Sequence, residues 1–263
     1  MRGQRGPDME VRNETRRKLL ADEPVFGVWI QSMSPRVAEV VAQTDLDWVG
    51  IDMEHTTIGA RGTEDIVRAV EGSGVDPIVR LPSLPFAQAG GAKRALDAGA
   101  RGVIIPRIES AEEAEDAVRT ALFPPDGDRG VAGSVRANDH GASFDDYVAA
   151  APDETLIVVQ IETATGADNA EAILGVPRID AVLIGENDLS ATHGTPGDHA
   201  LAAVREDVEH IVRSARAHDV RPGAGARDPE RLAERRAAGY RFFLLGGDLA
   251  FVRDGLTERL DFT

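Results

Sequence analysis

The stretch LIVVQIE at residues 156–162 holds four consecutive apolar residues and then a polar, apolar, polar ending. A strand with one face in water alternates apolar and polar side chains, whereas an uninterrupted apolar run is typical of a strand buried on both faces of a parallel sheet. Buried strands seldom end in charged groups without a reason. The stretch therefore predicts a parallel strand whose end carries functional side chains, Gln160 and Glu162.

Seven further runs of the same kind occur along the chain, and segments with helical patterning separate them. The eight runs are residues 26–31, 48–52, 77–81, 102–106, 156–162, 181–185, 220–225 and 242–247. Eight strand–helix alternations predict a (β/α)8 TIM barrel. We expect one domain over residues 1–263, with a helical lead-in over 1–25. An open, doubly wound sheet is the competing architecture, but the first strand–helix turn lacks the G-x-G-x-x-G of a dinucleotide-binding sheet.

Helix start signals support this division. Ser34 precedes Pro35, and Asp228 precedes Pro229, which places a capping side chain before proline at the first helical position. Ser110 is followed three residues later by Glu113, the spacing of a capping box. The longest connection, residues 122–143, exceeds the usual loop length and is a candidate lid or subunit contact.

Composition excludes several classes of protein. The 263 residues carry a formal charge of −16 and no cysteine, and no apolar run approaches the length of a membrane helix. Nucleic acid is an improbable partner because phosphate contacts need clustered basic residues. The N-terminal residues lack the apolar core of a signal peptide, so we expect a cytoplasmic protein without a membrane partner.

The basic residues are 27 arginines and only two lysines. Many carboxylates with few lysines would suit a salt-rich cytosol, where ions screen repulsion between like charges. A GC-rich genome, which favours arginine codons, is the alternative explanation.

Polar residues cluster at the predicted strand ends, which is where barrel enzymes carry their active sites. Singly, each has an ordinary explanation as a cap, a surface residue or an ion-pair partner. Together they need a common reason. They are Asp52, Glu54 and His55 after the second strand, Arg80 in the third, Gln160 and Glu162 at the fifth, and Gly185, Glu186, Asn187 and Asp188 at the sixth.

The acidic residues suit a metal ion. Carboxylates at the ends of the neighbouring fifth and sixth strands would lie close together, and oxygen ligands with open positions suit Mg²⁺, Mn²⁺ or Co²⁺. A structural zinc site is disfavoured because cysteine is absent and histidines are scattered. The two lysines, Lys18 and Lys93, end no strand, so Schiff-base chemistry is not expected. Carbonyl chemistry in this barrel would need a metal as Lewis acid.

Several stretches resemble the class II, metal-dependent pyruvate aldolases of the HpcH/HpaI aldolase family. They include GVWIQSMSPRVAEVVAQTDLDWVGIDMEH, PIVRLPS, KRALDAGARGVIIPRIESAEEAEDAV, FPPDGDRG, VVQIET and LIGENDLSATHG. The resemblance spans about residues 26–250. It implies a barrel of the phosphoenolpyruvate/pyruvate-binding type, and cleavage of a 4-hydroxy-2-oxo acid to pyruvate, or a close 2-oxo acid, and an aldehyde. It also implies a homo-oligomer, such as a hexamer, assembled through the terminal helix.

The resemblance also implies roles for individual residues. Glu162 and Asp188 would be the metal ligands, and Arg80 would bind the 2-oxo acid and stabilise the enolate oxygen. His55, paired with Asp97, would exchange a proton with the aldol hydroxyl. The remaining substrate-binding positions would be Trp29 on the aldehyde side, Asp52 in support, and Gln160, Gly185 and Asn187 around the oxo-acid carboxylate.

Two departures from the family pattern stand out. Glu186 occupies a position that is usually proline, which would add a carboxylate near the metal and release a fixed φ angle. The segment AQAGG at residues 87–91 looks like a short insertion. A CoA-thioester lyase of the citrate-lyase-β or malyl-CoA-lyase type, whose equivalent stretch often carries an acidic residue, stays an alternative. A barrel that binds 2-oxo acids without catalysis is another.

Overall fold

The structure, a computed structural model, describes residues 13–260. Within that range eight parallel strands close into a barrel in chain order, so the predicted TIM barrel is confirmed. Each observed strand agrees with its predicted run to within one residue at either end. The strands are β1 Val25–Ile30, β2 Trp48–Asp52, β3 Asp76–Arg80, β4 Gly102–Ile105, β5 Leu156–Ile161, β6 Ala181–Ile184, β7 Arg221–Gly225 and β8 Phe242–Gly247.

Helices connect the strands on the outside of the barrel. The described α-helices are α1 Glu14–Leu20, α2 Pro35–Val41, α3 Ala60–Val70, α4 Leu84–Phe86, α5 Ala92–Asp97, α6 Ala111–Ala121, α7 Phe144–Glu154, α8 Ala164–Asp168, α9 Ala170–Leu174, α10 Glu186–Thr192, α11 Ala202–Ala217, α12 Pro229–Ala237 and α13 Asp248–Leu260. A π-helical turn over Ala87–Gly91 joins α4 to α5, and a 3₁₀ helix covers Arg136–Gly141. The π turn is the AQAGG segment, and Gly90 lies there at φ 91°. No helix in residues 13–260 is long and apolar enough to span a membrane.

The predicted helix caps form. Ser34, Ser110 and Asp228 each accept a hydrogen bond from the backbone N–H three residues ahead. The expected capping box is incomplete, because the carboxylate of Glu113 accepts from the N–H of Glu109 rather than from Ser110. Each of these caps satisfies a helix N–H that would otherwise lack a partner.

The apolar side chains form two layers. Residues that point outward from the strands pack against the surrounding helices, while alternate residues fill the barrel interior. Inside, Trp48 stacks on Phe242 with ring centroids 4.5 Å apart, and Trp29 meets Trp48 edge to face at 5.9 Å. A Cβ atom on Gly27 or Gly50 would clash with these tryptophan rings. Glycine at these two positions therefore lets large aromatic rings fill the interior.

Helix α1 lies across the N-terminal rim of the barrel. Leu19 is fully buried with the interior residues, and Asn13 donates to the carbonyl oxygens of Arg101 and Glu154 at 2.7 and 2.9 Å. Arg16 pairs with Asp180 at 3.0 Å. The described part of the predicted lead-in is thus helical and packed under the barrel, and residues 1–12 lie outside the described range.

The long connection at residues 122–143 lies between α6 and β5, so it runs along the N-terminal rim. None of its residues lines the cavity at the opposite rim. The connection therefore does not cover the cavity of its own chain, and the other expected role, a subunit contact, stays a prediction. A buried arginine, Arg129, anchors the connection through Asp97 and the Tyr147 hydroxyl, both at 2.6 Å.

Candidate functional site

Most polar residues of the predicted strand ends line one cavity of about 680 Å³ at the C-terminal rim, and the others, Asp52, Glu54 and Glu162, contact its lining residues. Strand alternation explains this convergence, because side chains two residues apart face the same side. Trp29, Arg80 and Gln160 continue the inward rows that begin with buried apolar residues. Gly185, Asn187, Asp188 and His55 also line the cavity.

Asp52 and Arg80 form a two-point ion pair across neighbouring strands. Arg80 Nε lies 3.0 Å from Asp52 Oδ1, and Nη2 lies 2.7 Å from Oδ2. Burial disfavours the charged form of Asp52, but the hydrogen bonds and charge of Arg80 outweigh it and lower the pKa of the carboxyl. The Arg80 guanidinium also lies 4.3 Å from the Trp29 ring centroid. The guanidinium is therefore fixed on two sides before any substrate arrives.

Glu54 is a member of the site for which the sequence suggested no role. Its Oε2 atom lies 3.2 Å from Arg80 Nη1 and 3.6 Å from His55 Nε2, and it is buried without a hydrogen bond among residues 13–260. Burial, with repulsion from Asp52 and Asp188, raises its pKa to about 7. Its place between Asp52 and His55 at a strand end was the signal that could have identified it.

Glu162 lies beneath the first turn of α10. It is 3% exposed, and Gln160 Nε2 donates to its Oε2 atom. A Cβ atom on Gly185 would lie 2.5 Å from the same oxygen. Burial and the charge of Glu54, with a further contribution from Asp188, raise the pKa of Glu162 to about 7. The carboxylates of Glu54, Glu162 and Asp188 therefore lie close enough to repel one another.

This donor set fits a hard divalent cation. Carboxylates that lie close together repel one another, which raises their pKa values, and a bound cation reduces this repulsion. Oxygen atoms are also the ligands that Mg²⁺ and Mn²⁺ prefer. The Oε1 atom of Gln160 is buried there without a partner among the described residues. No group of three or more His, Asp or Glu side chains in residues 13–260 has the spacing of a complete metal site. Water or substrate would therefore supply the remaining ligands.

His55 and Asp97 do not meet within the chain. Asp97 ends α5, which returns to the N-terminal rim, whereas His55 follows β2 at the C-terminal rim. The strands separate the two rims by about 17 Å. Asp97 pairs instead with Arg129 at 2.6 Å. The expected His55–Asp97 pair therefore does not form within one chain, because the helix that carries Asp97 ends at the opposite rim.

Glu186 does not add its carboxylate to the metal site. Both of its oxygens lie 2.6 Å from Arg235 Nη2 on α12, and Arg231 Nη2 lies 3.2 Å from Oε2. The side-chain oxygen of the neighbouring Asn187 accepts a hydrogen bond from His199 Nε2 at 2.9 Å, in the tautomer that carries a proton on Nε2. The expected extra carboxylate near the metal is therefore turned towards α12, since two arginines attract it there.

Comparison with known proteins gives a consistent result. A model of the HpcH/HpaI aldolase/citrate lyase family matches residues 25–254. The chain is 37% identical to a hydroxypyruvate/pyruvate aldolase of Paraburkholderia phytofirmans, covering 91% of this chain and 93% of that protein. It is 33% identical to a 2-keto-3-deoxy-L-rhamnonate aldolase of Klebsiella pneumoniae, covering 94% and 92%.

Among solved structures, a HpcH/HpaI aldolase/citrate lyase family protein from Burkholderia cenocepacia superposes with a TM-score of 0.89. The identity is 34%, over 95% of this chain and 98% of that one. The two curated relatives are named aldolases, so the CoA-thioester lyase alternative is not favoured.

Proposed function

Because the chain belongs to the HpcH/HpaI aldolase/citrate lyase family, we propose that its cavity cleaves a 4-hydroxy-2-oxo acid to an aldehyde and pyruvate, or a close 2-oxo acid. The observation that carries the proposal is that Arg80 and Asp188 line one cavity, while the buried Glu162 lies close enough to both to interact with their charges. Two carboxylates and a fixed guanidinium are the groups needed to hold a cation and a 2-oxo acid side by side.

Glu162 and Asp188 would hold the divalent cation, which is Mg²⁺, Mn²⁺ or Co²⁺ in this proposal. The bound cation supplies a Lewis acid that stabilises negative charge on the oxo group. Arg80 would bind the 2-oxo acid and donate to the oxygen on which charge develops, and its fixed position means that little reorganisation is needed. Gln160 and the backbone near Gly185 and Asn187 would hold the carboxylate.

His55 would remove the proton from the C4 hydroxyl, because imidazole exchanges protons near neutral pH. As the C4 oxygen forms a carbonyl, the C3–C4 bond breaks and its electron pair passes to C3 and the 2-oxo group as an enolate. Protonation of C3 then gives the methyl group of pyruvate. Trp29, beside Arg80, would form the wall on the aldehyde side.

The test is exchange of the pyruvate methyl protons with deuterium, which requires the enolate but no aldehyde. We expect exchange with Mn²⁺ or Mg²⁺ and none after EDTA treatment. Asp188→Ala should lower exchange by at least about a hundredfold, since a metal ligand is lost. Asp146→Ala, on α7 away from the cavity, is the matched control and should exchange at the parent rate. Full exchange by Asp188→Ala, or by the EDTA-treated protein, would contradict the proposal.

The proposal includes a homo-oligomer, hexameric by resemblance, formed through α13. Beyond Asp248 most of this helix is exposed, including Leu249, Val252, Leu256 and Leu260. Exposed apolar side chains along one helix are typical of a surface that another subunit covers. Light scattering coupled to size exclusion would measure the mass, and a monomer at micromolar concentration would overturn this part.

A further inference from the structure

The first turn of α10 carries Asp188, and the helix is short. It spans seven residues, too few to be stable through its own hydrogen bonds. The Asp188 side chain makes no hydrogen bond or ion pair within residues 13–260. The position of Asp188 therefore depends on how the start of α10 is held.

The start of α10 lacks the usual cap. Gly185 occupies the N-cap position and provides no side-chain hydrogen bond. Serine, threonine, aspartate and asparagine are the common caps, but all have a Cβ atom. A Cβ atom here would lie 2.5 Å from Glu162 Oε2. The close approach of Glu162 thus excludes the normal means of fixing the helix start.

Glu186, the first residue of α10, provides a different attachment. Arg235 Nη2 contacts both Glu186 oxygens at 2.6 Å, and its Nη1 donates to the Gly225 carbonyl at the end of β7. Arg235 is 6% exposed, and its guanidinium lies 5.6 Å from the Tyr240 ring centroid. The ion pair is therefore largely shielded from water and joins α10 to β7 and α12.

We propose that Glu186 is a positioning residue: its ion pair with buried Arg235 replaces the missing cap of α10 and so sets the position of Asp188. The proposal rests on the proposed function for the role of Asp188 as a metal ligand. We assign Glu186 no role as a metal ligand, because both of its oxygens are paired with Arg235. Its carboxylate at the first helical position also suits the positive end of the helix dipole.

Two substitutions of Glu186 distinguish the constraint on the start of α10 from the negative charge of the side chain. Glu186→Ala and Glu186→Pro both remove the carboxylate and leave Arg235 without it. Proline, however, fixes φ near the helical value at a position whose N–H needs no helical partner. Binding of Mn²⁺, measured by titration calorimetry and by electron paramagnetic resonance, should weaken about tenfold in Glu186→Ala. Glu186→Pro should stay within about threefold of the parent, since its backbone is constrained.

A second readout needs no metal. The Leu189 N–H donates to the Gly185 carbonyl at 2.9 Å and reports on the first turn of α10. In the metal-free protein, amide hydrogen exchange at Leu189 should be about tenfold faster in Glu186→Ala and Arg235→Gln, because local opening is easier. Glu186→Pro should exchange close to the parent rate.

Arg16→Gln is the matched control. It breaks the Arg16–Asp180 ion pair, which is similarly buried but lies at the opposite rim. We expect it to lower the melting temperature as Arg235→Gln does, yet to leave Mn²⁺ affinity and Leu189 exchange unchanged. Parent-like Mn²⁺ affinity and Leu189 exchange in Glu186→Ala would overturn the proposal, as would equal weakening of Mn²⁺ binding by Arg16→Gln.

The outcomes also separate this proposal from the proposed function. A parent protein that binds no Mn²⁺ and exchanges no pyruvate protons would refute the function. The role of Glu186 is then decided by Leu189 exchange alone: faster exchange in Glu186→Ala than in Glu186→Pro supports it, and equal rates refute it.

Discussion

Gly50 lies opposite Trp29 in the strand register, and the tryptophan ring occupies the space that a side chain would need. The same ring lies against the Arg80 guanidinium. The absence of one methyl group in β2 therefore allows an aromatic ring to pack against the residue proposed to bind the oxo acid. Packing inside the barrel and geometry at the site depend on the same contact.

Gly50→Ala should destabilise the protein by about 1–3 kcal/mol, because the added Cβ atom overlaps the Trp29 ring in a filled interior. Urea unfolding measures the change. Gly255→Ala, on exposed α13 with open space around it, is the control and should be neutral or stabilising by up to about 1 kcal/mol through helix propensity. An equal, small effect of the two substitutions would contradict the packing argument.

Asp76 shows how burial makes stability depend on pH. Burial is the main cause that raises its pKa to about 6, although the Thr15 N–H donates to it at 2.8 Å. A carboxyl whose folded pKa is raised favours folding most below its unfolded pKa near 4. That contribution is lost as the pH rises through about 6. The ionised carboxylate of Asp76 therefore destabilises the folded protein at neutral pH, which is an energetic cost of its burial.

Asp76→Asn removes this cost while keeping an oxygen to accept from Thr15. The free energy of unfolding of the variant relative to the parent should rise by about 3 kcal/mol between pH 4 and pH 7 and then level off. Denaturant unfolding at a series of pH values measures it. A difference that does not change with pH would show that Asp76 ionises normally in the folded state.

Strand ends could be predicted from sequence, but side-chain directions could not. Arg80, Glu162 and Asp188 follow apolar runs, and parallel strands necessarily bring their ends to one rim. The direction of Glu186 depends on Arg235, 49 residues away in the chain. That pairing has no local signature in the sequence. From the sequence alone, the Glu186 carboxylate was therefore expected near the metal.

Helices return the chain to the opposite rim, and this explains why Asp97 and the 122–143 connection lie away from the cavity. Their positions follow from the barrel topology that the sequence already predicted. Resemblance and loop length carry no information on which rim a segment reaches, whereas the order of strands and helices does. Arg129 links Asp97 to the 122–143 connection, since it pairs with Asp97 and its guanidinium lies 4.4 Å from the Phe123 ring centroid.

Arg129→Met should cost about 3 kcal/mol, because it leaves Asp97 and the Tyr147 hydroxyl without their buried partner. Limited proteolysis should then cut within 122–143 before the barrel unfolds. Arg119→Met breaks an equally short but exposed pair with Asp128 in the same region. Its effect should be much smaller than that of Arg129→Met, because solvent screens the exposed pair. Similar losses in the two variants would contradict the structural role given to Arg129.

The molecule as a whole carries a formal charge of −16. Dispersed carboxylates repel one another at low ionic strength, and about 1 M salt shortens the screening length to roughly 3 Å. The eight apolar runs that predicted the barrel are independent of this charge, which is why fold class could be inferred without knowing the ionic setting. Adaptation to salt and codon bias give the same composition, so sequence alone does not separate them.

On the hypothesis of a salt-rich cytosol, the melting temperature should rise steadily as KCl is increased from about 0.05 to 2 M, since screening removes repulsion in the folded state. Differential scanning calorimetry measures it. A melting temperature that is the same at both ends of the range would support codon bias instead.

The packed floor of the barrel has a consequence for turnover. The interior below the cavity is filled by Trp48, Phe242 and Leu19. Substrate and products can therefore enter and leave only through the opening at the C-terminal rim. On the proposed function, the aldehyde and pyruvate must leave by the path through which the substrate enters. Whichever product stays bound longer should then compete directly with the incoming substrate.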